Sequence, residues 1–339
     1  MMRWLHWLGT TRLTLLGMAL LAIGAALSYD NPVTTPVWVL VLPLLLLALN
    51  LLIAIIINPA INRRAGLLLF HIGLLAVVVL VAIGRLTSME AHIELVDNAA
   101  FDSEALFNVR QGPWHDGDLE QIRFVQKGFS VDYRPGMKRG LTHNHILLAD
   151  DDGRMQPLVI GDDRPLLVNG YRIYTTSNKG FAPRLTWVAD DGATVSGSIN
   201  MPSYPLLYFR QANEWTPPGG EAIKFWLQVD AGLQEDAAWV LEPNRAAGTL
   251  VINESGRRVE LQPGQSLVLA GGTLHYDRLS SWMGFKLFYD PTLPWLFISA
   301  ILAVLGLLLH YWKKFSAEPL LINPSADDQS LTLTGGKTA

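Results

Sequence analysis

The run from Val37 to Ile57 is apolar almost without interruption, and at that length a single helix can cross a hydrocarbon layer of roughly 30 Å. Three further apolar runs accompany it: Leu13 to Leu27, Gly66 to Ile83, and Leu293 to Trp312. They account for the positive mean hydropathy of +0.25 in a chain that is 50% hydrophobic and only 17% charged. The roughly two hundred residues between them have the make-up of an ordinary soluble domain, enough for a core of their own. The chain therefore divides into a membrane region over 1–84 with three helices (about 13–29, 37–57 and 66–84), an extracytoplasmic domain over 85–291, a fourth helix over 292–312, and a polar tail over 313–339 expected to be disordered.

The first apolar run is short for a span, and Trp4 and Trp7 can seat its entry at the interface. A cleaved signal peptide is the rival reading, since a basic start and an apolar segment ending in Ala25-Ala26-Leu27-Ser28 fit that pattern loosely. An uncleaved helix is preferred because a second span follows so soon. Arg63 and Arg64, between the second and third helices, belong on the cytoplasmic side, and Arg3, Arg12 and Lys313-Lys314 then agree with them. This places both termini in the cytoplasm and the large domain outside, the topology of a multi-pass protein of a bacterial inner membrane facing the periplasm.

Within the domain the apolar period changes from helical to alternating. His145 to Leu148, Gly170 to Thr175, Arg184 to Val188, Ile223 to Val229 and Thr249 to Ile252 read as strands. Asp150-Asp151-Asp152-Gly153, Asp190-Asp191-Gly192, Glu254-Ser255-Gly256 and Gln262-Pro263-Gly264 supply turns at hairpin spacing. The fold class is thus a four-helix transmembrane protein with a large, mainly antiparallel β domain, a sandwich or an open barrel. Met89 to Gly112 is left unassigned, with Ala99 to Phe107 able to form a short helix.

A net charge of −4 offers no basic field for nucleic acid, so the lipid bilayer is the partner that composition implies. The absence of cysteine excludes disulfides, thiolate metal sites and a cysteine nucleophile. No Walker loop, Gly-x-Ser-x-Gly, His-Glu-x-x-His or dinucleotide fingerprint occurs, and acid pairs such as Asp162-Asp163 lie in turns. These features favour a non-catalytic subunit over a stand-alone enzyme.

Histidine is then the remaining ligand for a transition metal or haem iron. Among the eight histidines, His71 stands out because it lies inside the third apolar helix, where an ionisable group is costly unless it meets a partner or a cavity. It either ligates a cofactor or hydrogen-bonds within the helices. Gly66 and Gly73 bracket it and permit close approach of another helix or of a flat macrocycle. His143 and His145 share one face of an extended segment, a spacing a metal can use, although no third ligand is near and an ordinary polar strand edge explains the pair better. His92, His115 and His275 are isolated and read as structural, and His6 and His310 lie at the membrane boundary. Trp114, beside Pro113, is a candidate for exposure to a partner.

Four strings in order, Thr11-Arg12-Leu13-Thr14-Leu15-Leu16, Phe70-His71-Ile72-Gly73-Leu74-Leu75, Val168-Asn169-Gly170-Tyr171-Arg172-Ile173-Tyr174 and Gly284-Phe285-Lys286-Leu287-Phe288-Tyr289-Asp290-Pro291, resemble the ResB-type cytochrome c biogenesis proteins. The resemblance implies a subunit of the system II machinery that, with a CcsA-type partner, moves haem b across the membrane for attachment to apocytochrome c. It also implies that His71 is a haem axial ligand; Arg63, Arg64 and Arg85 are then candidates for propionate contact, although plain topology anchoring explains them better. The alternative function is a scaffold that binds no haem and docks apocytochrome or a partner subunit through its β domain.

Overall fold

The computed structural model describes residues 7–150, 152–205, 210–218, 221–230, 236–254 and 257–315. Arg3, Trp4, His6, Asp151, Ser255, Gly256, the side chains of Lys313 and Lys314, and the polar tail expected to be disordered lie outside the described residues. The chain divides into two compact units. One takes in residues 7–23, 40–82 and 293–315 of the described chain, and the other residues 24–39 and 83–292.

The α-helices among the described residues include α1 (Thr11–Asp30), α2 (Trp38–Ile57), the short α3 (Pro59–Asn62), α4 (Ala65–Thr87) and α5 (Leu293–Phe315). Four of them, all except α3, are long and apolar enough to cross a membrane among the described residues. They direct large apolar side chains outward, as Leu15 (62% exposed) and Ile56 (64%) show, which suits hydrocarbon and not water. The α2–α4 turn is built by Asn58, whose side chain accepts the Ala60 N–H while Pro59 takes a first-turn position that has no N–H to satisfy. At the start of α5, Asp290 Oδ1 accepts from both the N–H and the hydroxyl of Thr292.

α1 and α2 meet through Gly17, where a Cβ would fall 2.7 Å from a Leu47 methyl, and through Asn50. Asn50 accepts the Thr14 hydroxyl at 2.7 Å and donates to the carbonyls of Leu8 (2.5 Å) and Thr10 (3.1 Å). α4 and α5 meet backbone to backbone. A Cβ on Gly66 would lie 2.5 Å from His310 N, one on Gly73 2.6 Å from Ala303 N, and one on Gly306 would collide with Phe70 N. Small residues at such a crossing let two helices pack at a distance that any side chain forbids.

The second unit is antiparallel throughout. Its strands are β1 (Met89–Val96), β2 (Phe107–Gln111), β3 (Phe124–Arg134), β4 (Lys138–Ala149), β5 (Met155–Gly161), β6 (Leu166–Val168), β7 (Tyr171–Ala189), β8 (Thr194–Ser198), β9 (Ala212–Trp215), β10 (Ile223–Asp230), β11 (Trp239–Leu241), β12 (Ala247–Glu254), β13 (Arg257–Leu261), β14 (Ser266–Leu269) and β15 (Gly272–Tyr289). One sheet runs β2-β1-β15-β7-β6, with β14 added on β15 and β8 on β7. The other two run β11-β3-β4-β5 and β13-β12-β10-β9. The sheets pack around a shared core and do not close into a barrel. Phe285 of the first sheet meets Phe124 of the second edge to face, and Tyr276 donates from the first to the Gly248 carbonyl of the third.

β1 is the strand that the unassigned segment conceals. Met89, Ala91, Ile93 and Leu95 are all buried on one face, and β1 lies against β15 with Met89 opposite Tyr289. Between Ala99 and Phe107, left unassigned with a short helix possible, the chain forms only a 3-10 turn over Ser103–Ala105, capped by Asp102, before β2 begins. The Asp190-Asp191-Gly192 turn closes the β7–β8 hairpin, with Gly192 at φ +86°. Gln262-Pro263-Gly264 instead carries the chain from the third sheet back to the first. Its strands β13 and β14 do not pair, because Gly264 N–H bonds to Tyr276 O of β15.

Candidate functional site

His71 lies in the second turn of α4. Its Nδ1 is 2.7 Å from the Leu67 carbonyl oxygen, an atom that can only accept, so in the neutral ring the proton sits on Nδ1 and Nε2 carries the lone pair. The edge-on Phe70 ring, 5.1 Å away at 82°, restricts the imidazole on one side. Nε2 has no hydrogen-bond partner among the described residues. The result is a half-buried imidazole, oriented by its own helix so that Nε2 is the nitrogen available as a σ-donor. This is the arrangement in which a backbone carbonyl orients a metal-binding histidine.

The glycines that bracket His71 do not share its face. At about 100° per residue, His71 is turned about 140° from Gly66 and about 160° from Gly73 around the axis of α4. Gly66 and Gly73 face the backbone of α5, which fills the space that a macrocycle would need. Of the two uses that the sequence left open, these glycines serve helix approach, and His71 looks out from the opposite flank. Arg64, seven residues earlier, stands just ahead of α4, where its carbonyl accepts the Leu68 N–H. Arg63, Arg64 and Arg85 are exposed and form no ion pair among the described residues.

The histidines of the β domain separate into different roles. His143 Nε2 lies 3.2 Å from Asp132 Oδ2, whereas His145, two positions along β4, is exposed. No cluster of three metal-ligating side chains occurs among the described residues. His92 stacks on Phe107 at 5.9 Å, and its Nδ1 is buried without a partner.

His115, isolated in sequence, is the centre of a cluster. Its Nδ1 donates to the Thr87 carbonyl at 3.1 Å, which leaves Nε2 to accept the Tyr171 hydroxyl at 2.7 Å. Tyr289 packs edge-on against its ring at 4.8 Å and donates to Asp116. Burial, followed by the nearby Tyr289, Asp118 and Asp116, pushes the Tyr171 phenol up to about 12, so it remains a donor. The cluster pins the 112–118 segment where β1, β7 and β15 begin or end. No sequence signal announces it, because its members come from positions 87, 115, 116, 171 and 289.

Lys179, on β7, is the most deeply buried cation among the described residues, at 2% exposed. Burial first, and the like charge of Arg139 second, bring its ammonium down to about 8, with Asp162 opposing. Asp162 is engaged by Arg139 at 2.6 Å, and Lys179 Nζ reaches only the Thr176 carbonyl, at 3.3 Å.

A chain that inserts a folded β domain between its third and fourth bilayer-length helices is a multi-span membrane protein organised around one large loop domain. The profile of the ResB-like family matches residues 61–315, from α3 to the end of α5. The chain belongs to the ResB-like family. It is 20% identical over 250 residues to the cytochrome c biogenesis protein CcsB of Synechococcus elongatus, and equally to that of a second Synechococcus strain, over 73% of this chain and 51% of each relative. The chain thus spans about half the length of the curated relatives it matches. Among solved structures, the cytochrome c haem lyase CcmF aligns over 89% of this chain and 35% of its own, at 12% identity and a TM-score of 0.28.

Proposed function

We propose that this protein is a membrane subunit of a cytochrome c maturation complex, and that the Nε2 of His71 is an axial ligand to haem b held among the membrane helices. Its family membership and the name of its CcsB relatives support the first part. The single observation that carries the second is the Nδ1–Leu67 hydrogen bond, which leaves Nε2 as a donor nitrogen with no protein partner.

A neutral imidazole is a strong-field ligand for haem iron, and the iron chemistry itself belongs to the haem. This chain's residues hold and orient. Leu67 O fixes the tautomer, Phe70 limits ring rotation, and the exposed Arg64 just ahead of α4 is a candidate contact for a haem carboxylate. The arginines of the α2–α4 turn put that end of α4 in the cytoplasm and the β domain on the periplasmic side. On this reading the haem is cargo, the second axial ligand comes from a CcsA-type partner, and apocytochrome c receives the haem outside. On the same reading the chain is a non-catalytic subunit of the complex and not a stand-alone enzyme.

The test is the visible absorption spectrum of the chain purified together with its CcsA-type partner, for the wild type and for His71→Ala. The proposal expects haem content to fall at least severalfold and the low-spin bands to be lost. Unchanged haem and spectrum would leave a scaffold role, with haem held by the partner alone.

A further inference from the structure

At the end of α4 the 112–118 segment is fastened to the helix by three successive carbonyls. Trp114 N–H donates to Leu86 O at 2.8 Å, His115 Nδ1 to Thr87 O at 3.1 Å, and Gly112 N–H to Ser88 O at 2.8 Å. A Cβ on Gly112 would collide with the Leu86 carbonyl, so the segment lies directly against the helix end. The His115–Tyr171 hydrogen bond and the packing of Tyr289 on His115 brace it from behind.

The side chains of α4 set the level at which this happens. Its 23 residues rise about 34 Å, slightly more than the roughly 30 Å of a hydrocarbon layer. Ile83 is the last large apolar side chain that α4 exposes, and Arg85, two residues on, is exposed and forms no ion pair among the described residues. A long cationic side chain keeps its head out of hydrocarbon, so the boundary falls near these two residues. Leu86 O, and the Trp114 N–H bonded to it, then lie at headgroup level. α5 starts beside them: a Cβ on Gly84 would lie 2.9 Å from Thr292 Oγ1, just before α5, and Trp295 in the first turn of α5 is 61% exposed.

Trp114 is itself 59% exposed, and its indole N–H has no partner among the described residues. An indole offers an apolar ring and one donor, which suits a layer with hydrocarbon on one side and ester and phosphate oxygens on the other. Asp116 and Asp118, which follow closely, are turned to protein donors: the Tyr289 hydroxyl for the first, the Glu120 N–H and the Gln121 amide for the second.

We propose that Trp114, presented by Pro113, is a lipid anchor whose ring lies in the phospholipid headgroup layer at the β-domain end of α4, with its Nε1–H donating to a lipid oxygen. The ring supplies the attraction, so zwitterionic lipid suffices. The inference rests on α4 spanning a bilayer and not on haem binding at His71.

The test exploits the absence of cysteine, which makes an introduced one a unique label site. Pro113→Cys carries a nitroxide in the full chain in phosphatidylcholine nanodiscs. Its collision rates with oxygen, which concentrates in lipid, and with a water-soluble nickel chelate are compared with those of Asp191→Cys, at the opposite end of β7 from Tyr171. At position 113 the nickel collisions should be severalfold fewer and the oxygen collisions no fewer. Adding Trp114→Ser should return the nickel rate towards that at position 191, whereas Trp114→Tyr, which keeps an amphipathic ring, should preserve the protection. A label at 113 as open to nickel as at 191, or a depth unmoved by Trp114→Ser, would overturn the proposal. So would a fall in both collision rates together, the signature of protein cover, or protection that arises only when the CcsA-type partner is present.

Discussion

Asn50 in α2 and Asn144 in β4 are both almost fully buried, yet their amides are treated differently. Asn50 accepts one hydroxyl and donates to two carbonyls, which ties α1 to α2. Asn144 donates to Gln126 and Gly128, but its own Oδ1 is left without a partner, as are Gln126 Nε2 and Ser281 Oγ nearby. In hydrocarbon no water is at hand for an amide that the protein neglects, so a polar group persists there when its neighbours meet its needs. A water-facing domain has alternatives, among them ordered water inside. Against the standard set by Asn50, the Nε2 of His71, without a partner among the described residues, is the departure on which the proposed haem ligation rests.

Changes to each region should break or sharpen that contrast. Gly306→Leu should have the largest effect, on the order of 3 kcal/mol or more, because its side chain must enter the backbone of α4 at Phe70. Loss of a monodisperse peak in detergent and a lower Tm would report it.

Lys179→Met should act in the opposite direction and stabilise the protein by about 2 kcal/mol near neutral pH, since it replaces a buried ammonium that has one acceptor. The sign of the pH effect follows from the titration. Unfolded, Lys179 keeps its proton to about 10.5, and folded only to about 8. Between those values the unfolded chain binds the extra proton, so wild-type stability rises with pH. Below pH 8 both states are protonated and the full cost of the buried charge is present. Thermal melts of wild type and variant should therefore differ most below pH 8 and converge towards pH 10.5.

Asn50→Leu should show the smallest effect, a loss of about 1 kcal/mol read from thermal stability in detergent, because hydrogen bonds between membrane helices are individually modest.

The helices were legible because bilayer length and apolar content are local properties, and His71 was legible because an ionisable side chain in such a run is conspicuous. Strands such as Ile223 to Val229 showed their alternation directly. β1 carries the same alternation, with Met89, Ala91, Ile93 and Leu95 inward and Glu90, His92 and Glu94 between them, and what stayed hidden was its place, set by pairing with β15 near the other end of the domain. The His115 cluster was hidden for the same reason, as its hydrogen bond to Tyr171 spans 56 residues. Gly66 and Gly73 advertised a close approach, but the visitor became known only with α5 in view.

The most direct test of His71 as a ligand replaces its imidazole chemically. His71→Gly, purified with the CcsA-type partner, should lose the low-spin haem spectrum and regain it when imidazole is added to the buffer, since free imidazole can occupy the vacated space and supply the same nitrogen. A variant that keeps the wild-type spectrum without imidazole would contradict the account.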